Sequence, residues 1–337
     1  MKELKNNFTI IIGLLSVIII ATGFIFITSP NNAVVKQSKT NINIASPGLA
    51  FVCHASHNFI SVIDIKTNKV VDTITAGEGT VWFTLSNDRK TAYAANFQSN
   101  NISIIHTDNT KNSENVPVGK NPVCICLTAD GQTALISHQS QDGLWFMNIN
   151  THQITKKIGE GTGLMQLTKD GRKIYQPAIF RPYVHVIDPY NQTISNSIYV
   201  GGRPLNIYFT PDGKYAYVTN YDLNEVQIID TKTDSVINKI SNIDGPRGIA
   251  ISPDGKFVLV TNVISNTVTV IDVKNNSVVK KIPVDKMPTD IAITKDGQYA
   301  YVTNQGSGSI AVISIDKLEV INHIEVADNP ISIYLSE

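Results

Sequence analysis

Charge is scarce in this chain. Of 337 residues only 17% are Asp, Glu, Lys or Arg, and the 28 basic and 28 acidic residues cancel. A balance of this kind gives no support for a nucleic-acid or anionic-surface partner. Cysteine is nearly absent, with three residues, Cys53, Cys124 and Cys126. Cys124 and Cys126 sit two apart in one extended run, a poor geometry for a disulfide, and no CxxCH motif marks covalent haem. No GxSxG, HExxH or phosphate-loop pattern occurs. A sustained 3.6-residue apolar period is missing too, which excludes a helical solenoid.

One long hydrophobic run is present. Residues 8–28 read FTIIIGLLSVIIIATGFIFIT, 21 residues without a charge. That length fits a membrane-spanning helix, and the exit ITSPNNA is a poor cleavage site. We therefore expect an uncleaved signal-anchor over 1–28, with a cleaved signal and a secreted protein as the alternative. Lys2 and Lys5 before the run balance Lys36 and Lys39 after it, so the positive-inside rule alone does not orient it. Residues 29–48 are polar and read as a linker.

Beyond the linker the chain repeats itself. PDGKYAYVTN ends at Asn220, PDGKFVLVTN at Asn262 and KDGQYAYVTN at Asn304. Worn copies end at His54, Asn96, His138 and Ala178, with successive intervals of 42, 42, 40, 42, 42 and 42. A period of this length signals a repeat architecture. Each unit carries four short apolar runs bounded by turn residues. In the sixth they are GIAIS, KFVLVTN, TVTVIDV and SVVKKIPV, here strands A to D. Seven such units predict an all-β fold, a seven-bladed β-propeller of four-stranded antiparallel blades over 49–337. The first unit lacks strand A, and the chain ends in ISIYLSE, a strand A without a strand B. The C-terminal strand is thus expected to close the ring.

PDGKYAYVTN followed by VQIIDTKTDSVINKI closely resembles the YVTN-type β-propeller repeat family. The resemblance covers about 49–337. It is strong in units five to seven and weaker in units two to four, where YVTN becomes YAAN, LISH and YQPA. It implies a propeller in an extracytoplasmic setting, periplasmic or at the cell surface. It does not imply a reaction.

Asp-Gly in PDGK and the Ile-Asp pairs closing strand C read as turn chemistry. Functional residues are expected on the opposite, upper rim, where the D–A and B–C loops meet. Along strand A, Phe83, Ile125, Met165, Ile207, Ile249, Ile291 and Ile333 form a uniformly apolar row that packs between blades. The alternate row, Trp82, Cys124, Leu164, Asn206, Gly248, Asp290 and Ser332, is mixed and is expected to face the channel. The candidate ligand site is the upper mouth: Asn206 and Asp290, with Trp82, Arg203 and Arg247 beside them and His54 and His138 on the rim. Paired arginines suit an anionic or zwitterionic ligand. The seven histidines disperse over the repeat, so no metal site is expected. The sequence thus points to a membrane-anchored binding or scaffold module outside the cytoplasm, its partner an unknown small molecule or protein, with no cofactor assigned. A propeller enzyme of lactonase or lyase type is the alternative, and a redox partner of haem d1 type a more distant one.

Overall fold

The computed structural model describes residues 16–19, 25–28, 42–139, 142–159 and 161–336. Seven four-stranded antiparallel sheets follow one another around an axis. Within blades two to seven the strands pair in sequence order, A-B-C-D from the axis outward. Blade five is representative: Pro204–Phe209, Tyr215–Asn220, Glu225–Asp230 and Ser235–Ser241. In blade one the C-terminal strand Pro330–Ser336 pairs with Leu49–His54, followed by Phe59–Asp64 and Lys69–Thr75. The expected closure is therefore present, in the register Leu49↔Ser336 to His54↔Pro330.

Two pieces of the apolar run 8–28 are described. Ser16–Ile19 and Ile25–Thr28 pair as an antiparallel hairpin rather than lying in the expected helix. The rest of that run and linker residues 29–41 lie outside the described residues. Among the described residues no helix is long and apolar enough to cross a membrane.

Strand B has neighbours on both sides and blades on both faces, so Leu49–His54 is buried throughout. Strand D forms the outer edge, and Ser235–Ser241 and Ser277–Pro283 are exposed along most of their length. Lysines in those two strands discourage edge-to-edge pairing. The apolar row of strand A packs between blades as expected; Ile207, Ile249 and Phe83 are all buried.

The PDGK turns are structural. Thr210 Oγ donates to Asp212 (2.7 Å), and Asp212 accepts the Lys214 amide (3.1 Å) while Gly213 takes φ +73°. In blade two Arg89 stands where the others have glycine, at φ +60°. Its guanidinium donates to the Ala45 carbonyl at 2.8 Å, which offsets that backbone strain. The strand C aspartates cap their turns likewise: Asp230 accepts from Lys232 N at 2.8 Å and Thr233 N at 3.1 Å.

Blade four is the thinnest. Its strand A is Gln166–Leu167 and its strand B Ile174–Pro177. YQPA has lost both the threonine and the asparagine of the phrase, and the shortened loop at 159–163 leaves little ladder to extend.

Candidate functional site

The seven A strands line an axial channel, and a β-bulge near their upper ends shapes it. Register slips between Pro204 and Asn206, between Pro246 and Ile249, and between Pro288 and Asp290. Proline has no N–H with which to continue the ladder. The threonine of YVTN supplies an acceptor for the strand A amide two residues after the proline. Thr219 Oγ accepts the Asn206 amide at 3.1 Å, Thr261 Oγ accepts Gly248 N at 2.8 Å, and Thr303 Oγ accepts Asp290 N at 2.9 Å. The repeated phrase thus holds in place the strand A residues that face the axis.

Two cavities meet along this axis. The upper, about 40 Å³, is lined mainly by apolar side chains with Arg247, Thr289 and Asp290 among them. The lower, about 400 Å³, is bounded by the next inward row of strand A, including Gln166, Tyr208 and Tyr334. Trp82, Asn206 and Asp290 line both, so they form the waist between the two. The expected upper-mouth trio is brought together, but deeper than expected and with more room below it than above.

Burial pushes the Asp290 carboxyl up to about 6, although the amides of Ile333 and Ile291 and the nearby Arg247 pull it back. The Ile333 amide donates to its Oδ2 at 3.1 Å. Arg247 is brought down to about 10 by burial, with Asp290 and Tyr221 opposing that shift and Arg203 reinforcing it. Its carbonyl accepts from Thr219 Oγ at 2.8 Å. Asn206 accepts the Ile207 amide through Oδ1 (2.8 Å). Trp82 spends its one polar atom on the Ile125 carbonyl (3.1 Å), leaving only ring surface for the cavity. Gly248 lets the blade seven strand approach: a Cβ there would lie 2.7 Å from the Asp290 Cα and 2.8 Å from the Thr289 carbonyl oxygen.

The other expected residues lie elsewhere. Arg203 lines neither cavity; its guanidinium pairs with Asp222 at 3.0 Å and stacks over Tyr221 at 4.5 Å. His54 is not a rim ligand but a buried tie. Its Nε2 bonds Ser61 Oγ at 2.9 Å and its Nδ1 lies 3.2 Å from the Asp328 carbonyl. Asn220 and Asn262 hold the same places in their blades, Asn262 through Thr267 and Thr269. Burial drives the His54 imidazole down to about 3, so it stays neutral. His138 is likewise buried, with Nδ1 at 3.0 Å from the Gly143 carbonyl and its ring against Trp145. No histidine lines either cavity, so the described channel offers no imidazole to a haem iron. No cluster of three or more potential metal ligands occurs among the described residues. The three cysteines are free, and burial raises all three thiols, Cys53 and Cys126 to about 12.

Strict alternation missed two groups. The bulge turns Leu205, Thr289 and Ile331 toward the upper cavity beside Asn206, Asp290 and Ser332. The prolines just before them were the available signal. Tyr208 and Tyr334, one inward step below the waist, were legible from the period of two but stood outside the row chosen by polarity.

The family model described as "Lactonase, 7-bladed beta-propeller" matches residues 199–320, less than half of the chain. A search of curated protein sequences returns no match. Among solved structures, hydrazine synthase from Kuenenia stuttgartiensis superposes with a TM-score of 0.70 at 17% identity, covering 85% of this chain and 99% of that one. The periplasmic gluconolactonase of Pseudomonas aeruginosa gives 0.70 at 14% identity, covering 85% and 98%. A dihydro-haem d1 dehydrogenase gives 0.64 at 14% identity, covering 86% of this chain and 66% of that longer one. Likeness at these identities shows the fold, a seven-bladed propeller.

Proposed function

We propose that this propeller binds a small anionic or zwitterionic molecule in its axial channel, at the waist formed by Trp82, Asn206 and Asp290 below Arg247. One observation carries this reading: Arg247 and Asp290 are a cation and an anion close enough to shift each other's ionisation, both facing a channel that is otherwise uncharged. A buried guanidinium favours a carboxylate or phosphate, and few convergent polar groups in an apolar concavity are the usual form of a small-molecule site. Titration calorimetry against simple carboxylates and zwitterions tests it. Arg247→Gln and Asp290→Ala are each expected to weaken the ligand by about 1–3 kcal/mol. The lower-rim variants Asp212→Ala and Asp230→Ala are expected to leave affinity intact. Equal affinity in all four folded variants would refute the assignment.

A second reading, lactone hydrolysis, is favoured by the extent of the family match. The span 199–320 contains Asn206, Arg247 and Asp290. An Asp290 carboxylate titrating near 6 suits a general base. It would take a proton from water as the oxygen attacks the lactone carbonyl, with Arg247 facing the developing oxyanion. Collapse breaks the ring C–O bond, the proton passes to the alkoxide, and a hydroxy acid leaves. Acid release from an aldonolactone should fall by about 10²-fold or more in Asp290→Asn. An unchanged rate would leave binding alone.

The propeller's location belongs to the same proposal. The charge-free run 8–28 is long enough, in a bilayer and as a helix instead of the pairing of Ser16–Ile19 with Ile25–Thr28, to tether residues 49–337 outside the cytoplasm. Protease added to intact spheroplasts is then expected to degrade the propeller; protection until lysis would exclude that location.

A further inference from the structure

We propose that the lower cavity is a cage for an organic cation, and that the channel's ligand is a zwitterion whose ammonium group sits there. Three features of the cavity carry this.

The first is shape. On blades five, six, seven and one, the inward residues below the waist are Tyr208, Ala250, Ala292 and Tyr334, all bounding the cavity. Two alanines between two tyrosines open a recess flanked by rings. Asp290 stands on the same strand as Ala292, one inward position above it, so a carboxylate overlooks the recess. Trp82, on the blade after Tyr334, continues the aromatic wall.

The second feature is what the rings have left to offer. The Trp82 N–H is already donated to Ile125, and the Tyr334 side chain is bonded by the Leu85 backbone. Phe51 and Phe83 pack against Tyr334 with centroids 6.4 and 5.6 Å away, which fixes its ring. Tyr208 keeps 38% of its surface, and that surface borders the cavity. Ring faces carry the negative part of the aromatic quadrupole and attract cations.

The third is charge. Among the described residues Asp290 is the only ionised side chain lining the lower cavity; Arg89 stands outside that lining, though near enough to Tyr334 to favour its ionised form. An anion would be repelled there. A hydrocarbon would leave the carboxylate desolvated and unpaired. A polyol could bond the opposite side, where Thr84, Asn87 and Gln166 border the cavity, but along the arc from Tyr208 through the alanines to Tyr334 it would meet only the two phenols and Asp290. An alkylammonium group satisfies both rings and carboxylate. Arg247 lies on the other side of the waist, placed for the carboxylate of the same molecule.

The zwitterion part rests on the axial-channel reading above; the cage does not. Calorimetry on the full-length chain separates them, with tetramethylammonium chloride, sodium acetate and glycine betaine as probes and sodium chloride as the blank. Tetramethylammonium is expected to bind saturably. Tyr208→Leu and Tyr334→Leu should each weaken it about tenfold, while Tyr208→Phe, which keeps the ring, should stay within about twofold. Glycine betaine should bind more tightly than tetramethylammonium, and Arg247→Gln should abolish that advantage. Melting curves confirm that each variant is folded. No saturable tetramethylammonium binding, binding insensitive to both leucine variants, or tighter binding of a neutral hexose would overturn the cage. Acetate binding that needs Arg247 without any ammonium binding would leave the axial-channel reading standing and the cage refuted. Cage-dependent ammonium binding with no advantage for betaine would do the reverse.

Discussion

Asp290 is held in a state that the fold disfavours. Its carboxyl titrates near 6 against an ordinary value of 3.8, because burial penalises the charged form. Between those values the native protein binds more protons than the unfolded chain, so this group's contribution falls as pH rises. The stabilisation is full below about 3.8 and lost above about 6. Asp290→Asn should therefore raise the melting temperature of the ligand-free protein at pH 7, a gain of up to about 3 kcal/mol. The gain should vanish near pH 4. Melting curves at the two pH values check this, and a variant less stable at pH 7 would contradict it. His54 works in the opposite sense. Its imidazole is driven down to about 3 by burial, so stability is lost as pH falls from 6.5 toward that value. The comparison of Asp290→Asn with the parent at each pH cancels that background. A site residue that costs stability is what a binding or reactive carboxylate is expected to look like.

Between blades, the tyrosine of YVTN has a partner that its own repeat does not supply. Tyr217 of blade five donates to Asn276 in the C–D turn of blade six at 2.9 Å. Tyr301 of blade seven donates to Asn68 of blade one at 2.7 Å, and Tyr175 of blade four bonds Asp234 of blade five. Other junctions lack the pair: Phe51 and Leu135 take the tyrosine's place on blades one and three, and between blades six and seven both partners change. Leu259 takes the tyrosine's place and Leu318 the turn position, at φ +52°. An aliphatic contact replaces a hydrogen bond, and no buried hydroxyl is left without an acceptor. Tyr217→Phe should cost about 1 kcal/mol in denaturant unfolding. Leu259→Tyr alone should destabilise, and Leu318→Asn added to it should recover about 0.5–1.5 kcal/mol. Strict additivity of the two changes would show that the clasp is not a coupled pair.

At the scale of the whole molecule, stability depends on joining the two ends of the repeat. Pro330–Ser336 supplies the innermost strand of blade one and spans the register from Leu49 to His54. Ser336 adds a hydroxyl bond to the Ser46 carbonyl at 2.7 Å, which also secures the entry to the first strand. Removing residues 330–337 would expose the edge of Leu49–His54 and also strip Ile331 and Ser332 from the upper cavity. The shortened protein should aggregate or melt well below the parent. A monomer with an unchanged melting curve would mean that the ring is held shut by other contacts.

The number of blades, the four strands in each, the turns between them and the closing strand are all legible in the amino-acid order. Those features follow from short-range patterns: a period of two along strands, Asp-Gly and Ile-Asp at turns, and a spacing near 42 that repeats whatever each unit touches. It also picked out Asn206 and Asp290, because polar residues break an otherwise apolar row. Tertiary structure alone decided how deep those residues lie and what surrounds them. The bulge at the head of strand A turns Leu205 and Thr289 inward, and a threonine from the next strand accepts the amide that follows each of them. His54 looked like a rim ligand since it ends the phrase where asparagine ends it elsewhere, yet it is buried between blades and does the asparagine's work. The aromatic recess under Asp290 draws on strands from five blades, and no local pattern records which residues a closed ring brings face to face.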